Sequence, residues 1–270
     1  MISALAVVCI RNEAVHVRRC LRDLIESGLE VHLIDHQSTD GTREIAAEFL
    51  GGGLLAIDDL PWTGVFSLSE QLRAKKRIFD QTRHDWVVHI DADERLESAN
   101  PGETLLEGLQ RADAGGYNCV NFLEMAFVPL PGENFNVDHY ASRMCTYYYF
   151  APVHPHRELA WRRDAQFDNS KHAGHRLTGA DMKRFPEDFI MRHYIALSQE
   201  QAREKFLQRR VAEEDLAKCW FGNRLAITED KLVVKPIPEL RRLDHAAQRR
   251  YDLSQPLKRH FWQWSAATAL

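Results

Sequence analysis

The stretch Trp86-Val87-Val88-His89-Ile90-Asp91-Ala92-Asp93-Glu94 runs from a short apolar segment straight into three acids within four positions. Trp86 to Ile90 has the length and composition of a buried strand. Asp91 and Asp93 then stand two residues apart at the strand's carboxyl end. Two carboxylates so placed can both reach one cation. Hard oxygen ligands suit magnesium or manganese, which keep coordination positions open for phosphate oxygens.

Working outward, the segments before this one alternate strand and helix. Leu5 to Ile10 reads as a strand, Glu13 to Ser27 as a helix with Val17, Leu21, Leu24 and Ile25 on one face, and Gly28 as its stop. Val31 to Ile34 is the next strand, Gly41 to Leu50 a helix ended by Gly51-Gly52-Gly53, Leu54 to Ile57 a strand, and Leu68 to Phe79 a helix. Strands separated by helices of this length predict an α/β fold with a mostly parallel sheet flanked by helices. Ligands of such sheets sit beyond the carboxyl ends of the strands. The polar clusters Arg11-Asn12-Glu13, Asp35 to Asp40 and Asp91 to Glu94 all fall there.

From about Gly115 the character changes. Tyr117 to Val128 and Tyr140 to Phe150 are aromatic and β-branched and predict antiparallel strands. Ser198 to Lys218 reads as a helix capped by Ser198. This predicts one domain with two halves, 1–114 and 115–270. The last thirty residues carry Arg241, Arg242, Arg249, Arg250, Lys258 and Arg259, followed by Phe261, Trp262 and Trp264. Two readings stand: a helix lying on an anionic membrane surface, or a solvated helix that packs its aromatics on the main domain.

The 270 residues include 35 Lys plus Arg and 39 Asp plus Glu, a net charge of -4, which argues against a general nucleic-acid binder. Five cysteines (Cys9, Cys20, Cys119, Cys145 and Cys219) are odd in number and lack CxxC spacing, so buried reduced thiols are expected rather than a disulfide framework or zinc ribbon. His154, His156, His172 and His175 are closely spaced but have no cysteine nearby to complete a zinc site. The apolar start lacks a basic leader, and no apolar run reaches the ~20 residues of a membrane span. A cytoplasmic protein is expected, with peripheral contact at the inner face of a membrane if the tail supplies it.

Three stretches together carry a family resemblance: Val7-Val8-Cys9-Ile10-Arg11-Asn12-Glu13, Leu33-Ile34-Asp35-His36-Gln37-Ser38-Thr39-Asp40-Gly41-Thr42, and His89-Ile90-Asp91-Ala92-Asp93-Glu94. In order, spacing and strand context they resemble family 2 of the glycosyltransferases. The resemblance covers roughly the first hundred residues. It implies a GT-A (Rossmann-like) fold and a nucleotide-diphosphate sugar as donor, with Mn2+ or Mg2+ as cofactor. The acceptor would be a glycan, a lipid-linked molecule or a small molecule, and the transfer inverting. A dication suits this chemistry because it stabilises the charge that grows on the departing β-phosphate. The resemblance places Arg11, Asn12 and Glu13 beside the nucleotide, Asp35 and His36 facing the base, Asp91 near the ribose or the metal, and Asp93 as the main metal ligand. His36 stands where a second acid is frequent, which leaves the base open.

The family often sets nucleotide or phosphate contacts on the helix before the DxD strand, here Gln71, Arg73 and Lys76; the other reading is a solvated basic face of four residues, Arg73, Lys75, Lys76 and Arg77. His193 is the expected third metal ligand, by likeness to the late histidine of GT-A enzymes, and Lys205 a diphosphate contact. An inverting transfer needs a carboxylate base near the acceptor hydroxyl. Asp188 and Glu187 lie where family members usually carry it, and Glu158 is a further candidate. Two other function classes remain in view. A nucleotidyltransferase would be expected to carry glycines after the first strand, which Arg11-Asn12-Glu13 lacks. A catalytically degenerate sugar-nucleotide-binding module is disfavoured by the retained Asp91 and Asp93.

Overall fold

Seven consecutive buried residues form the first strand, β1 (Ala4–Ile10), of the computed structural model, which describes residues 2–222 and 224–264. Burial on both faces is what a central parallel strand requires. There follow α1 (Ala14–Glu26), β2 (Glu30–Asp35), α2 (Thr42–Ala47), β3 (Leu54–Asp59), α3 (Leu68–Gln81), β4 (Trp86–Ile90), β5 (Glu94–Glu97), α4 (Leu105–Ala114), β6 (Cys119–Phe127), β7 (Thr146–Phe150), β8 (Glu158–Arg162), β9 (Phe189–Tyr194), α5 (Gln199–Arg203), α6 (Glu213–Ala217) and β10 (Arg241–Arg242). The chain divides into two compact units. The first runs to Thr63 and includes 67–122 and 156–191; the second takes 64–66, 123–155 and the residues from 192 onward. The division at 114/115 expected from chain order thus differs from the observed grouping, because 156–191 return to the first unit's sheet through β8.

In the first unit β3, β2, β1 and β4 are parallel neighbours, and β8 and the start of β6 extend the sheet antiparallel. This is the α/β sheet expected. Alternation sorts β1 between two cores. Ala4, Ala6, Val8 and Ile10 pack with α1 and α4, whereas Leu5, Val7 and Cys9 pack with Ala74 and Phe79 of α3. The register sets Ile10 opposite Asp35 and Val8 opposite Ile90. The polar segments after β1, β2 and β4 therefore leave from one edge. Gly28, at φ 87°, ends α1 as expected. Between β8 and β9, mutual backbone bonds of Asp168 and Thr178 (2.9 and 2.8 Å) close a loop. Its Gly174, at φ +83°, passes so near His89 that a Cβ there would lie 2.8 Å from Nε2.

In the second unit, the end of β6 pairs antiparallel with β7, and β7 with β10. Four sequence expectations are corrected here. Tyr140 to Phe150 is a strand only over Thr146–Phe150; Tyr140–Ser142 is a 3-10 turn, whose Tyr140 carbonyl accepts from both Arg143 and Met144. The helix expected over Ser198 to Lys218 is broken. Ser198 Oγ does cap it, accepting from Gln201 N at 3.1 Å, but after one π turn (Glu204–Gln208) the backbone extends. There Arg210 O accepts from Phe66 N and Ala212 N donates to Phe66 O, strand-type bonds that a helix would forfeit. The described part of the tail, 241–264, is mostly irregular rather than helical, with the two-residue β10 and a 3-10 turn at Phe261–Gln263. Pro236, Pro238 and Pro256 disfavour a helix, and buried Arg192 holds the chain by the carbonyls of Ala246 (2.5 Å) and Gln248 (2.7 Å). A surface helix is thus not what this segment forms. Phe261 and Trp262 are buried in the second unit's core, and residues 265–270 lie outside the described residues. Of the cysteines, Cys9, Cys20 and Cys119 are buried, Cys145 is partly so, and Cys219 is exposed, against the expectation of burial for all. Among the described residues no helix is long and apolar enough to cross a membrane.

Gly108, inside α4, is fitted against a buried ring: a Cβ there would meet Phe189 Cζ at 2.6 Å and Ser98 Cβ at 2.9 Å. Gly108→Ala should therefore destabilise the fold by about 1–3 kcal/mol by overpacking, although alanine is ordinarily the better helix former by about 1 kcal/mol. Denaturant unfolding of the two proteins checks the sign.

Candidate functional site

Two short loops, after β1 and after β2, are stitched to each other. Asn12 Oδ1 accepts from Thr39 N (2.8 Å), Asn12 N donates to Ser38 Oγ (3.0 Å), and Glu13 N donates to Thr42 Oγ1 (2.8 Å). Asn12 and Gln37 both adopt φ 54°, a left-handed conformation uncommon outside glycine that tight turns of this kind need. Arg11 donates to the carbonyls of His36 (2.8 Å) and Gln37, and its guanidinium lies 4.0 Å over the centroid of Trp62. Trp62 N in turn donates to Gln37 Oε1 (2.8 Å). An arginine and an indole so stacked offer a flat, cationic surface.

Asp35 and His36, expected to face a base, point inward. The Asp35 carboxylate is buried; it accepts from Ser38 N (3.1 Å) and meets Arg43 Nη1 at 3.4 Å, while Arg43 also pairs with exposed Asp59 at 2.7 Å. The His36 ring is fully buried, edge-on to Trp62, with Nε2 3.1 Å from Pro61 O. A carbonyl only accepts, so Nε2 carries the proton. Burial lowers the His36 pKa. The groups this edge presents are therefore Arg11, Trp62, Arg43 and Asp59. The sequence reading missed Trp62 and Arg43, since neither lies in a motif; the signal for Trp62 was an aromatic just past a third strand end.

At the end of β4, the Asp91 side chain is 49% exposed and its Oδ1 lies 3.0 Å from Lys75 Nζ. Lys75, on the inner stripe of α3 between Leu72 and Phe79, is almost fully buried and also donates to Ile90 O (2.8 Å). From α1, buried Arg19 donates to the carbonyls of Ala92 (2.5 Å) and Glu94 (3.0 Å). The turn closes on itself through Asp91 N to Glu94 Oε2 (3.0 Å). Asp93 is 8% exposed, so Asp91 is the solvent-facing carboxylate of the pair. Burial, the largest single influence, opposes ionisation of Asp91, but the charge and hydrogen bond of Lys75 together with His89 outweigh it and the pKa falls to about 2. The pKa of His89, two residues back on the strand, is lowered to about 3 by burial and then by Lys75; its Nδ1 has no hydrogen-bond partner among the described residues. Burial pushes the Cys9 thiol up to about 12, which makes it inert as a nucleophile. Of the basic face expected on α3, Arg73 is exposed and Lys76 pairs with Asp80 (2.7 Å). Lys75 was the residue to notice: its helical position is that of the core, not of the solvent.

Among the described residues no three His, Cys, Asp or Glu side chains gather as a metal cage. Magnesium and manganese are commonly held by one or two carboxylates with substrate phosphates and water. Asp91, with one oxygen on Lys75 and the side chain half in solvent, fits a dication that brings its other ligands with it.

Of the expected bases, Glu158 is buried and its Oε1 is taken by Arg184 (2.6 Å), with Leu177 N on Oε2 (3.2 Å). Glu187 is exposed and paired with Arg111 (2.7 Å). Asp188 is exposed, and its Oδ1 accepts from Asn121 Nδ2 (2.8 Å). His193 and Lys205 belong to the second unit, where His193 Nδ1 lies 2.6 Å from Glu124 Oε1 and Lys205 Nζ donates to Ile195 O (3.0 Å).

Residues 5–124 match the family model described as Glycosyl transferase family 2. Over 94 residues the chain is 30% identical to the lipopolysaccharide core biosynthesis glycosyltransferase LpsC of Rhizobium meliloti, covering 34% of this chain and 32% of that protein. Over 91 residues it is 32% identical to an uncharacterized glycosyltransferase of Rickettsia bellii, covering 34% and 28%. The chain thus matches about a third of the length of these curated relatives. Among solved structures, S. aureus TarS aligns with a TM-score of 0.40 at 14% identity, over 82% of this chain and 43% of that one. Glucosyl-3-phosphoglycerate synthase of Mycobacterium tuberculosis, solved with Mn2+, uridine-diphosphate and phosphoglyceric acid, aligns with a TM-score of 0.34 at 18% identity, over 61% and 57%. At those scores neither carries an argument about this chain.

The buried His36 ring has a pH signature. Its folded pKa lies below the unfolded value of about 6.5, so below that pH the unfolded chain binds the extra proton and stability falls as pH falls. In His36→Gln this loss is removed. The stability difference between parent and variant should be flat above about pH 6.5 and should move against the parent below it, as followed by denaturant melts at several pH values.

Proposed function

We propose, from the match of residues 5–124 to the family model described as Glycosyl transferase family 2, that the chain transfers a sugar from a nucleotide-diphosphate donor to an acceptor hydroxyl. The observation that carries this reading is the half-exposed Asp91 carboxylate at the strand edge from which the Arg11 and Asp35 loops also leave. In this proposal the stacked Arg11 and Trp62, with Asn12 and Glu13, border the nucleotide. Asp35 and His36 act from beneath, by holding Arg43 and the Pro61-Trp62 turn. Arg73, exposed on α3, borders the diphosphate. Asp91, backed by Asp93, is the ligand for Mn2+ or Mg2+, which when bound neutralises charge on the departing diphosphate.

The acceptor side needs a base for an inverting displacement. Asp188 fits best of the three carboxylates, since Glu158 is consumed by Arg184 and Glu187 by Arg111. It takes the acceptor's hydroxyl proton while that oxygen bonds to the anomeric carbon and the bond from carbon to the β-phosphate oxygen breaks. Asn121 steadies one carboxylate oxygen and leaves the other to face the hydroxyl.

The first test is calorimetric titration with nucleoside diphosphates, with and without Mn2+. Metal-dependent binding of one of them is expected; no binding to any by the folded protein overturns the reading. Asp188→Asn should lower turnover about 10²- to 10⁴-fold, the usual worth of a general base, with donor affinity nearly unchanged. Turnover near the parent level would move the base elsewhere.

A further inference from the structure

Lys75 is a buried cation with no part in the transfer proposed above. The residue is 1% exposed, and its ammonium is fixed at two points, 2.8 Å from Ile90 O and 3.0 Å from Asp91 Oδ1. Asp91 therefore stands between a buried positive charge and solvent. The charge is not needed to fill space: beside buried Gln71, the inner residues of α3 around it include the apolar Leu72, Ala74 and Phe79, and a hydrophobic side chain of similar volume commonly replaces a buried ion pair without loss of stability.

We infer that Lys75 is a resident counter-cation of Asp91 that keeps the site from loading a dication until an anionic diphosphate arrives. This rests on the donor-site reading above. Asp91 and Lys75 together carry no net charge, and Asp93 is largely withdrawn from solvent. A dication approaching the open side of Asp91 meets the field of an ammonium a few ångströms behind it. Because that ammonium is buried, bulk salt screens it poorly. A nucleoside diphosphate reverses the balance, adding negative charge and the oxygen ligands the protein does not itself supply. Metal and nucleotide then enter together, and the metal is not held idle at the site.

The test uses Mn2+ alone and then Mn2+ with the nucleoside diphosphate that the parent protein binds, on the full chain, read by calorimetry or by the free-Mn2+ resonance signal. Lys75→Met removes the charge and keeps the length. It should bind Mn2+ alone at least about tenfold more tightly than the parent, and its gain from nucleotide should shrink by a similar factor. Lys75→Arg keeps the charge and should behave as the parent does. Lys75→Gln, which retains a donor for the Ile90 carbonyl, stands in if the methionine variant fails to fold. A folded neutral variant with parental or weaker affinity for Mn2+ alone overturns the inference. A parent that binds no nucleoside diphosphate in the presence of Mn2+ instead overturns the donor-site reading, and this inference with it.

Discussion

The turn after β4 is held by two buried cations that come from helices on opposite faces of one sheet. Lys75 of α3 takes the Ile90 carbonyl and the Asp91 carboxylate, and Arg19 of α1 takes the carbonyls of Ala92 and Glu94. Burying charge is expensive unless every donor finds an acceptor. These two are tolerated because a strand end is where backbone carbonyls run out of sheet partners. The arrangement thus satisfies two needs at once. Carbonyls that the ladder cannot pair are paired, and the carboxylate meant for a ligand is fixed in direction before any ligand binds. Both helices are in turn fixed by the alternating burial of β1.

The loops beside that turn follow the same rule of preorganisation. Asn12, Ser38, Thr39, Asp40 and Thr42 exchange bonds so completely that the two loops behave as one surface. Polar residues at strand ends spend their hydrogen bonds on each other, and the groups facing solvent include Arg11 over Trp62, Arg43 on Asp59, and Asp91. The second unit relies on aromatic and cationic packing instead. Its His260 ring stacks between Phe150 (3.8 Å) and Trp262 (4.6 Å) and is hydrogen-bonded to Tyr148 (2.8 Å). Arg192 reaches both Phe127 and Tyr251 while pinning a proline-bounded segment.

Strands and helices of the first hundred residues were legible because their apolar periods are long and their stops explicit: Gly28 after α1, Gly51-Gly52-Gly53 after α2, and the acids that follow the apolar run of β4. The second half was less legible. The break after Gln208 is made by backbone bonds to Phe66, more than a hundred residues earlier, and no local propensity records that. Tyr140 to Phe150 looked like one strand because turn and strand share its aromatic composition.

The sequence by itself determined the α/β order of elements, the edge at which the polar clusters gather, and the acids that stand there, because each follows from local periodicity and chain direction. Only the tertiary structure decided which of those side chains meet solvent. Asp35 and His36 turn inward, Asp93 is largely withdrawn, and Asp91 stays open; Lys75, which looked like one of four similar basic residues, proves to be the one inside. The physical reason is that burial of a charged group depends on partners brought from other elements, here the carbonyls at a strand end.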